Sequence, residues 1–249
     1  MKVRIKYTKS GSMKFIGHLD VMRYFQKAVK RAGFDIAYSQ GYSPHQLMSF
    51  AAPLALGVTS EGEYFEAEFN SLVSSEEFVR RFNEQMVDGM SVNDVILLPD
   101  DAKKAMSIVC ASDYLITIHD KDEADFLSTR QKLLQAVDSL LSHNTIEVFR
   151  KTKKQEKIED IKPGILNLAV QDRKIYMLLA TGSEYNLKPD SVMEAICKEA
   201  DVPYNKFDYQ IHRVETYTKN SNGELISLLE TGTHIIYPSK EQHRLRCME

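Results

Sequence analysis

The sequence predicts an α+β fold built as two ferredoxin-like domains, each an antiparallel sheet with helices on one face. Three observations carry this reading. The chain has 249 residues, a comfortable length for two domains of roughly 100–150 residues each. Over the first hundred or so residues, stretches of period-two and helical hydrophobicity follow one another as strand, helix, strand, strand, helix, strand, which is the βαββαβ order. The polar, proline-led stretch Pro99-Asp100-Asp101-Ala102-Lys103-Lys104 then suits a linker to a second half of similar order.

Val3-Arg4-Ile5-Lys6-Tyr7 alternates apolar and charged residues and predicts the first strand, and Lys9-Ser10-Gly11-Ser12 predicts a turn. A helix is expected over 18–32, with Leu19, Met22, Phe25, Val29 and Ala32 on one face and Gly33 as its stop. A short strand is expected at 36–38, a loop at 40–45, and an apolar stretch at 47–57 bent by Pro53. Residues 62–69 alternate again and predict a strand. Ser74-Ser75-Glu76-Glu77 opens a second helix, with acids where the helix dipole favours them and Phe78, Phe82 and Met86 on its apolar face. A strand at 92–98 completes a first domain over residues 1–100.

The second half reads as strand 113–118, helix 123–141, strands 145–151, 165–170 and 176–180, helix 189–200 and strand 207–217. It is expected to form a second α+β domain over 112–236. The residues from Tyr237 onward, 237–249, are expected to be a polar tail. The two halves share element order but no residue-level repeat.

Composition narrows the function classes. With 43% hydrophobic and 27% charged residues, the chain can pack a core and is not disordered by composition. The segment Met1-Lys2-Val3-Arg4-Ile5-Lys6-Tyr7 lacks the apolar run of a signal peptide, and no apolar run approaches the about 20 residues of a membrane span. A cytoplasmic location without membrane contact is therefore expected. Cys110, Cys197 and Cys247 are scattered and odd in number, which indicates neither a disulfide framework nor a cysteine-rich metal site. A net charge of −3 argues against a surface that is a nucleic-acid platform throughout, so any such binding has to be local.

Turn chemistry is densest between Phe15 and Tyr64. Here Phe15-Ile16-Gly17-His18-Leu19-Asp20, Ala37-Tyr38-Ser39-Gln40-Gly41-Tyr42-Ser43-Pro44-His45 and Ser49-Phe50-Ala51-Ala52-Pro53-Leu54 crowd together. Loops that hold side chains in place are built from this mixture. His18, Asp20 and His45 are residue types suited to acid–base work or to a weak metal site, since imidazole and carboxylate are the usual ligands of a divalent transition metal, although their spacing does not show that they meet. The bland reading makes Asp20 a partner of the helix dipole and Pro44-His45 a turn. Arg23, Lys27 and Lys30, with Arg31 beside them, form a basic stripe on the first helix. It is either a solvated face or, with Tyr38, Gln40, Tyr42, Ser43 and His45 nearby in sequence, a surface for RNA phosphates and bases. A second cationic run, Arg150-Lys151-Thr152-Lys153-Lys154-Gln155-Glu156-Lys157, either keeps a hairpin edge soluble or forms a phosphate track through Lys151, Lys153 and Lys154. No phosphate-binding glycine loop is present, and neither a metal nor a cofactor is indicated.

Lys14-Phe15-Ile16-Gly17-His18-Leu19-Asp20, Tyr38-Ser39-Gln40-Gly41-Tyr42-Ser43-Pro44-His45, Ser49-Phe50-Ala51-Ala52-Pro53-Leu54, Ile161-Lys162-Pro163 and Gly182-Ser183-Glu184-Tyr185-Asn186-Leu187-Lys188-Pro189 together resemble the radical SAM-linked (radical SAM-associated) protein family. This is a bacterial domain family of unknown function. The resemblance implies a partner, a radical SAM enzyme encoded nearby or fused in relatives, in a setting of RNA processing and ribosomal functions. Two departures stand out. Gln46-Leu47-Met48 follows His45 where many relatives carry a basic residue. The Cys-x3-Cys-x2-Cys motif that a radical SAM enzyme needs for its cluster is absent, so this chain is not that enzyme.

Three readings stand at this point. The first is an RNA-associated accessory protein assisting a separate radical SAM enzyme in RNA or ribosome-related modification. The others are an RNA-processing hydrolase using His18, Asp20 and His45, and a protein-only interaction module.

Overall fold

The computed structural model describes residues 1–119, 126–151, 156–183 and 185–236. The expected start of the helix at 123, Lys153 and Lys154 of the cationic run, and the polar tail lie outside the described residues. The fold is mixed α+β, with largely antiparallel pairing and several helices. The chain divides into two compact units.

The first unit comprises Met1–Leu56, Glu63–Met106 and the chain from Ser227. Its elements are β1 (Lys2–Lys9), α1 (His18–Arg31), β2 (Met48–Phe50), the larger part of β3 (Thr59–Glu68), α2 (Ser75–Asn83) and β4 (Met90–Leu97). The sheet order is β4-β1-β3, with β2 antiparallel on β3 through Met48↔Ala67, Ser49↔Glu66 and Phe50↔Phe65. Alternation along β1 sends Val3, Ile5 and Tyr7 into a core with Phe25 and Val29 of α1 and Phe78 and Phe82 of α2. Ser74 caps α2, its hydroxyl accepting from Glu77 N–H at 3.3 Å. Phe34 stacks on Phe78 with ring centroids 4.2 Å apart, closing the core where α1 ends.

Three sequence expectations for this unit need correction. Leu19 is 65% exposed, because the buried face of α1 is set by Val21, Phe25, Ala28 and Val29. Residues 36–38 make only isolated bridges, Ile36↔Phe69 and Tyr38↔Gln46. The strand is instead β2, within the stretch ahead of Pro53. The segment from Ser227, expected in the second domain, returns to the first unit. It is held there by the fully buried Leu228 and by a capping box formed by Ser227 and Glu230.

A short helix, α3 (Ala105–Ile108), follows the proline-led stretch. The second unit comprises Gly57–Gly62 and Ser107–Ile226. It contains β5 (Ala111–Ile118), α4 (Phe126–Ser142), β6 (Glu147–Lys151), β7 (Glu156–Asp160), β8 (Ile165–Gln171), β9 (Lys174–Ala180), α5 (Pro189–Glu199), β10 (Tyr209–Lys219) and β11 (Leu225–Ser227). Its sheet runs β10-β5-β9-β8, antiparallel at each step. Thr59 and Ser60 pair in parallel with His212 and Arg213 of β10. Gly62 is needed beside them, since a Cβ there would stand 2.4 Å from Glu215 Cα.

β6 and β7 form a separate hairpin. β7 was not expected, because Ile158 is the lone apolar residue in Glu156-Lys157-Ile158-Glu159-Asp160. Pairing with β6, rather than its own periodicity, defines it. Phe207, expected in the last strand, lies in the turn Lys206–Asp208 just before β10. Among the described residues no helix is long and apolar enough to cross a membrane.

Candidate functional site

The glycine-histidine motif at the start of α1 is positioned by a buried lysine. Lys9, on the helix-facing side of β1, donates from Nζ to the Ile16 carbonyl at 2.8 Å and so fixes the turn that leads into Gly17 and His18. Burial lowers the Lys9 pKa, while the nearby Glu63 carboxylate opposes that shift. His18 sets its ring edge-on to Phe50, with centroids 5.5 Å apart. Asp20 stands in the first turn of α1, exposed, with Arg23 Nη1 at 3.4 Å. His45 belongs to another neighbourhood, beside Ser39. The three residues singled out for acid–base chemistry therefore have three different neighbours. Among the described residues, no group of three or more His, Cys, Asp and Glu side chains is placed to hold a metal ion.

What the first unit does build is a clamped loop. Tyr38 and Gln46 bridge its two feet. Inside them, Ser39 N–H donates to the His45 carbonyl at 2.8 Å, and His45 N–H donates to Ser39 Oγ at 3.1 Å. Ser39 Oγ lies 2.8 Å from His45 Nδ1. Below the feet, Leu47 N–H donates to the Ala37 carbonyl and Ala37 N–H to that of Glu68, which ties the loop to β3. Gly41 sits at φ +112, a conformation that side-chain-bearing residues rarely adopt. Beyond it Tyr42 is fully exposed at the tip, with Gln40, Ser43 and Pro44 also exposed.

The cations of α1 flank this loop unequally. Lys30 Nζ lies 5.8 Å over the Tyr38 ring. The Tyr38 phenol is held below its ordinary pKa, first by a hydrogen bond with Gln46 and then by Lys30. Lys27 is exposed on the same helix, whereas Arg31 donates to the Gln85 carbonyl at 3.1 Å and lies over Tyr24. Lys151, at the end of β6, pairs in register with Glu156.

Beside the loop opens a cleft of about 210 Å³ lined by Lys2, His45, Gln46, Leu47, Met48, Ser49, Glu66, Ala67, Glu68 and Lys104. Glu66 anchors its floor. Its Oε1 accepts from Arg4 Nη2 at 2.6 Å, from Arg4 Nε at 3.2 Å and from Ala105 N–H at 3.0 Å. Gln46 is also buried and donates from Nε2 to the Gln26 carbonyl at 3.1 Å. Apart from His45, none of these lining residues was among the candidate site residues read from the sequence, although Gln46-Leu47-Met48 and Ser49 lie beside or within the motifs that carry the family resemblance. Their signal was the charged residues at the outward positions of β1 and β3, which look solvated until the residues covering that face are known.

A family model described as "Uncharacterized protein conserved in bacteria (DUF2344)" matches residues 2–189. The chain belongs to this family. The matched span of the DUF2344 protein contains the clamped loop and every lining residue of the cleft. Among curated proteins, none matches it. Among solved structures, it is similar to a chain from the "Crystal Structure of a Cbf5-Nop10-Gar1 Complex", with a TM-score of 0.44 and 9% identity. The similarity covers 86% of the DUF2344 protein and 48% of that chain, so it spans about half the length of that chain.

The second unit of the DUF2344 protein carries one polar cluster that the sequence reading missed. Asp113 Oδ1 accepts from Glu215 N–H at 2.6 Å, and Oδ2 accepts from the Tyr217 hydroxyl at 3.1 Å and the Tyr176 hydroxyl at 3.4 Å. Burial raises the Asp113 pKa and, with the Asp113 charge, those of both tyrosines. The carboxylate is fully engaged by its own neighbours, which is the geometry of a structural network.

Proposed function

We propose that the DUF2344 protein is a non-catalytic, cytoplasmic accessory protein that binds RNA and assists a separate radical SAM enzyme in modifying RNA or a ribosomal component. The observation that carries the RNA reading is the clamped loop: Tyr42 fully exposed at its tip, with Lys30 over Tyr38 at its foot. An aromatic ring held in solvent on a braced backbone offers a stacking face to an unpaired base, and adjacent cations meet the phosphates. Lys27, Lys30 and the cationic hairpin supply that charge locally, as an overall charge of −3 requires. The separate neighbours of His18, Asp20 and His45 favour this reading over a hydrolase, whose acid and base must reach a common substrate atom.

The radical SAM partner rests on the motif resemblance. We also read both units as ferredoxin-like. In its support, β2 and β4 flank β3 and β1 in the first unit, and β10-β5-β9-β8 in the second repeats the same order once the β6–β7 hairpin is set aside. The test is crosslinking of the full chain to RNA in cells, sequencing of the bound RNA and identification of co-purifying proteins. Enriched RNA sites together with a radical SAM enzyme are the expected result. Crosslinks no denser than those of an unrelated protein of similar charge would remove the RNA reading, and a radical SAM enzyme recovered without RNA would leave the protein-only adaptor.

A further inference from the structure

The outer strand of the second unit's sheet lacks the protection that exposed sheet edges usually carry. β8 ends the order β10-β5-β9-β8, and among the described residues no backbone group pairs with its other edge. Edge strands are commonly blunted by charged side chains or proline, yet Ile165-Leu166-Asn167-Leu168-Ala169-Val170-Gln171 contains neither. Leu166 and Val170 are 50% and 39% exposed. Backbone geometry shows which groups this edge offers. Gln171 and Lys174 flank the two-residue turn Asp172-Arg173, in which both φ angles are positive, +46 and +62. In such a turn the flanking pair exchanges backbone hydrogen bonds. Hydrogen-bonded pairs recur at every second residue, so Ala169 bonds Tyr176 and Asn167 bonds Leu178, as far as the register shift before Asn167. The N–H and C=O groups of Leu168 and Val170 therefore point off the sheet.

We propose that β8 pairs with β8 of a second copy of this chain, antiparallel about a two-fold axis at Ala169. The regular stretch from Asn167 to Gln171 has a single symmetric register in which every one of its residues is paired. Leu168 then lies opposite Val170 of the second copy, and the reverse pair follows by symmetry, with two backbone hydrogen bonds in each. Leu168 and Val170 share the face of their β9 partners Met177 and Ile175, both fully buried, so the pairing extends an apolar face and covers Val170. On the opposite face Asn167 meets Gln171 of the second copy, two amides that each carry a donor and an acceptor. Ala169 meets its own symmetry mate, where small side chains allow close approach. No like charges oppose each other in this register. Such self-complementarity favours a second copy over a strand of another protein. The proposal does not depend on RNA binding.

The experiment measures the mass of the full chain by sedimentation equilibrium and locates the axis with cysteines. Mass should rise from one chain toward two as concentration increases through about 1–100 µM, the range suited to a small interface. Val170→Pro removes an N–H that the β8–β9 ladder does not use, and should stay monomeric at about 100 µM with the native far-UV circular dichroism. Cys247→Ser is the background for crosslinking. Across the axis the two Ala169 Cα atoms come within about 4.5 Å, a separation a disulfide can span, so Ala169→Cys should give a covalent dimer on mild oxidation. Gln171→Cys should not, because its symmetry mate lies about 14 Å away along the strand. A native chain that stays monomeric up to about 100 µM overturns the proposal and leaves the edge to a strand of another protein. A dimer that persists in folded Val170→Pro overturns it too, as does crosslinking of Gln171→Cys as readily as Ala169→Cys. The cysteine comparison needs no proline variant, so the test stands if Val170→Pro does not fold.

Discussion

Arg4 and Glu66 form an ion pair from which water is excluded. Arg4 Nη2 lies 2.6 Å from Glu66 Oε1, with the two side chains 1% and 2% exposed. The guanidinium also donates from Nη1 to the Leu228 carbonyl at 3.0 Å and to the Thr231 hydroxyl, while Ala105 N–H donates to Glu66 Oε1. One pair on neighbouring strands thus fastens both the residues after the proline-led stretch and the returning segment from Ser227. Removing one member of such a pair leaves an uncompensated buried charge, which costs about 3–5 kcal/mol. Arg4→Met should lose that much stability in urea unfolding. Arg4→Met combined with Glu66→Met should lose less than the sum of the single changes, by at least about 1 kcal/mol. Additive effects would show that the two residues act separately.

Tyr42 should matter for binding and hardly at all for folding. It is fully exposed, so Tyr42→Ala should change stability by no more than about 0.5 kcal/mol. Loss of one stacked base is worth about 1–3 kcal/mol, so the affinity for single-stranded RNA should fall about tenfold. Tyr42→Phe keeps the ring face and should bind almost as the native chain does. Equal losses for Ala and Phe in a filter-binding titration would assign the role to the hydroxyl and remove stacking from the account.

The cations should reveal themselves through salt. Each lost phosphate contact flattens the dependence of log affinity on log salt by roughly 0.7 for a single strand. Lys27→Ala with Lys30→Ala should flatten it by the sum of two such contacts. Arg23→Ala should add less, because Asp20 stands 3.4 Å from its guanidinium. Replacing Lys151, Lys153 and Lys154 together tests the hairpin in the same way. Unchanged slopes in both sets of variants would leave the protein-only adaptor as the better account.

Legibility of the chain in its sequence followed how local the determining interactions are. α1, α2 and β1 were readable because their periodicity and caps are written within a few residues, as with Ser74 and the Phe78/Phe82 face. Leu19 misled because helical spacing admits more than one apolar face, and packing against β3 chose the one through Val21 and Ala28. β7 was hidden since its pairing partner, not its composition, makes it a strand. The cleft was the least legible feature. Arg4 and Glu66 look like solvent-facing strand residues until Ala105 and Leu228, far along the chain, close over them. The loop from Ser39 to His45 was visible as turn chemistry, yet nothing local showed that Ser39 braces His45 and leaves Tyr42 in solvent.

Asp113 supplies a test of the second unit through pH. Burial raises its pKa above the ordinary 3.8, while hydrogen bonds from Glu215 N–H and the Tyr217 hydroxyl pull the other way and the Glu215 charge adds to the rise. A carboxyl whose folded-state pKa is raised takes up its proton more readily in the folded chain than in the unfolded one. Its contribution to stability is therefore complete below the unfolded value and is lost as pH rises through the folded one. Asp113→Asn cannot titrate and still offers an acceptor to Tyr217. Stability of the native chain relative to Asp113→Asn should accordingly be greatest at acid pH, fall as pH rises past about 4, and then level off. Denaturant unfolding of both proteins across that range reads the difference directly. A difference that grows with pH would mean that the three donors to Asp113 outweigh its burial, and that the ionised form is the one the second unit was built to hold.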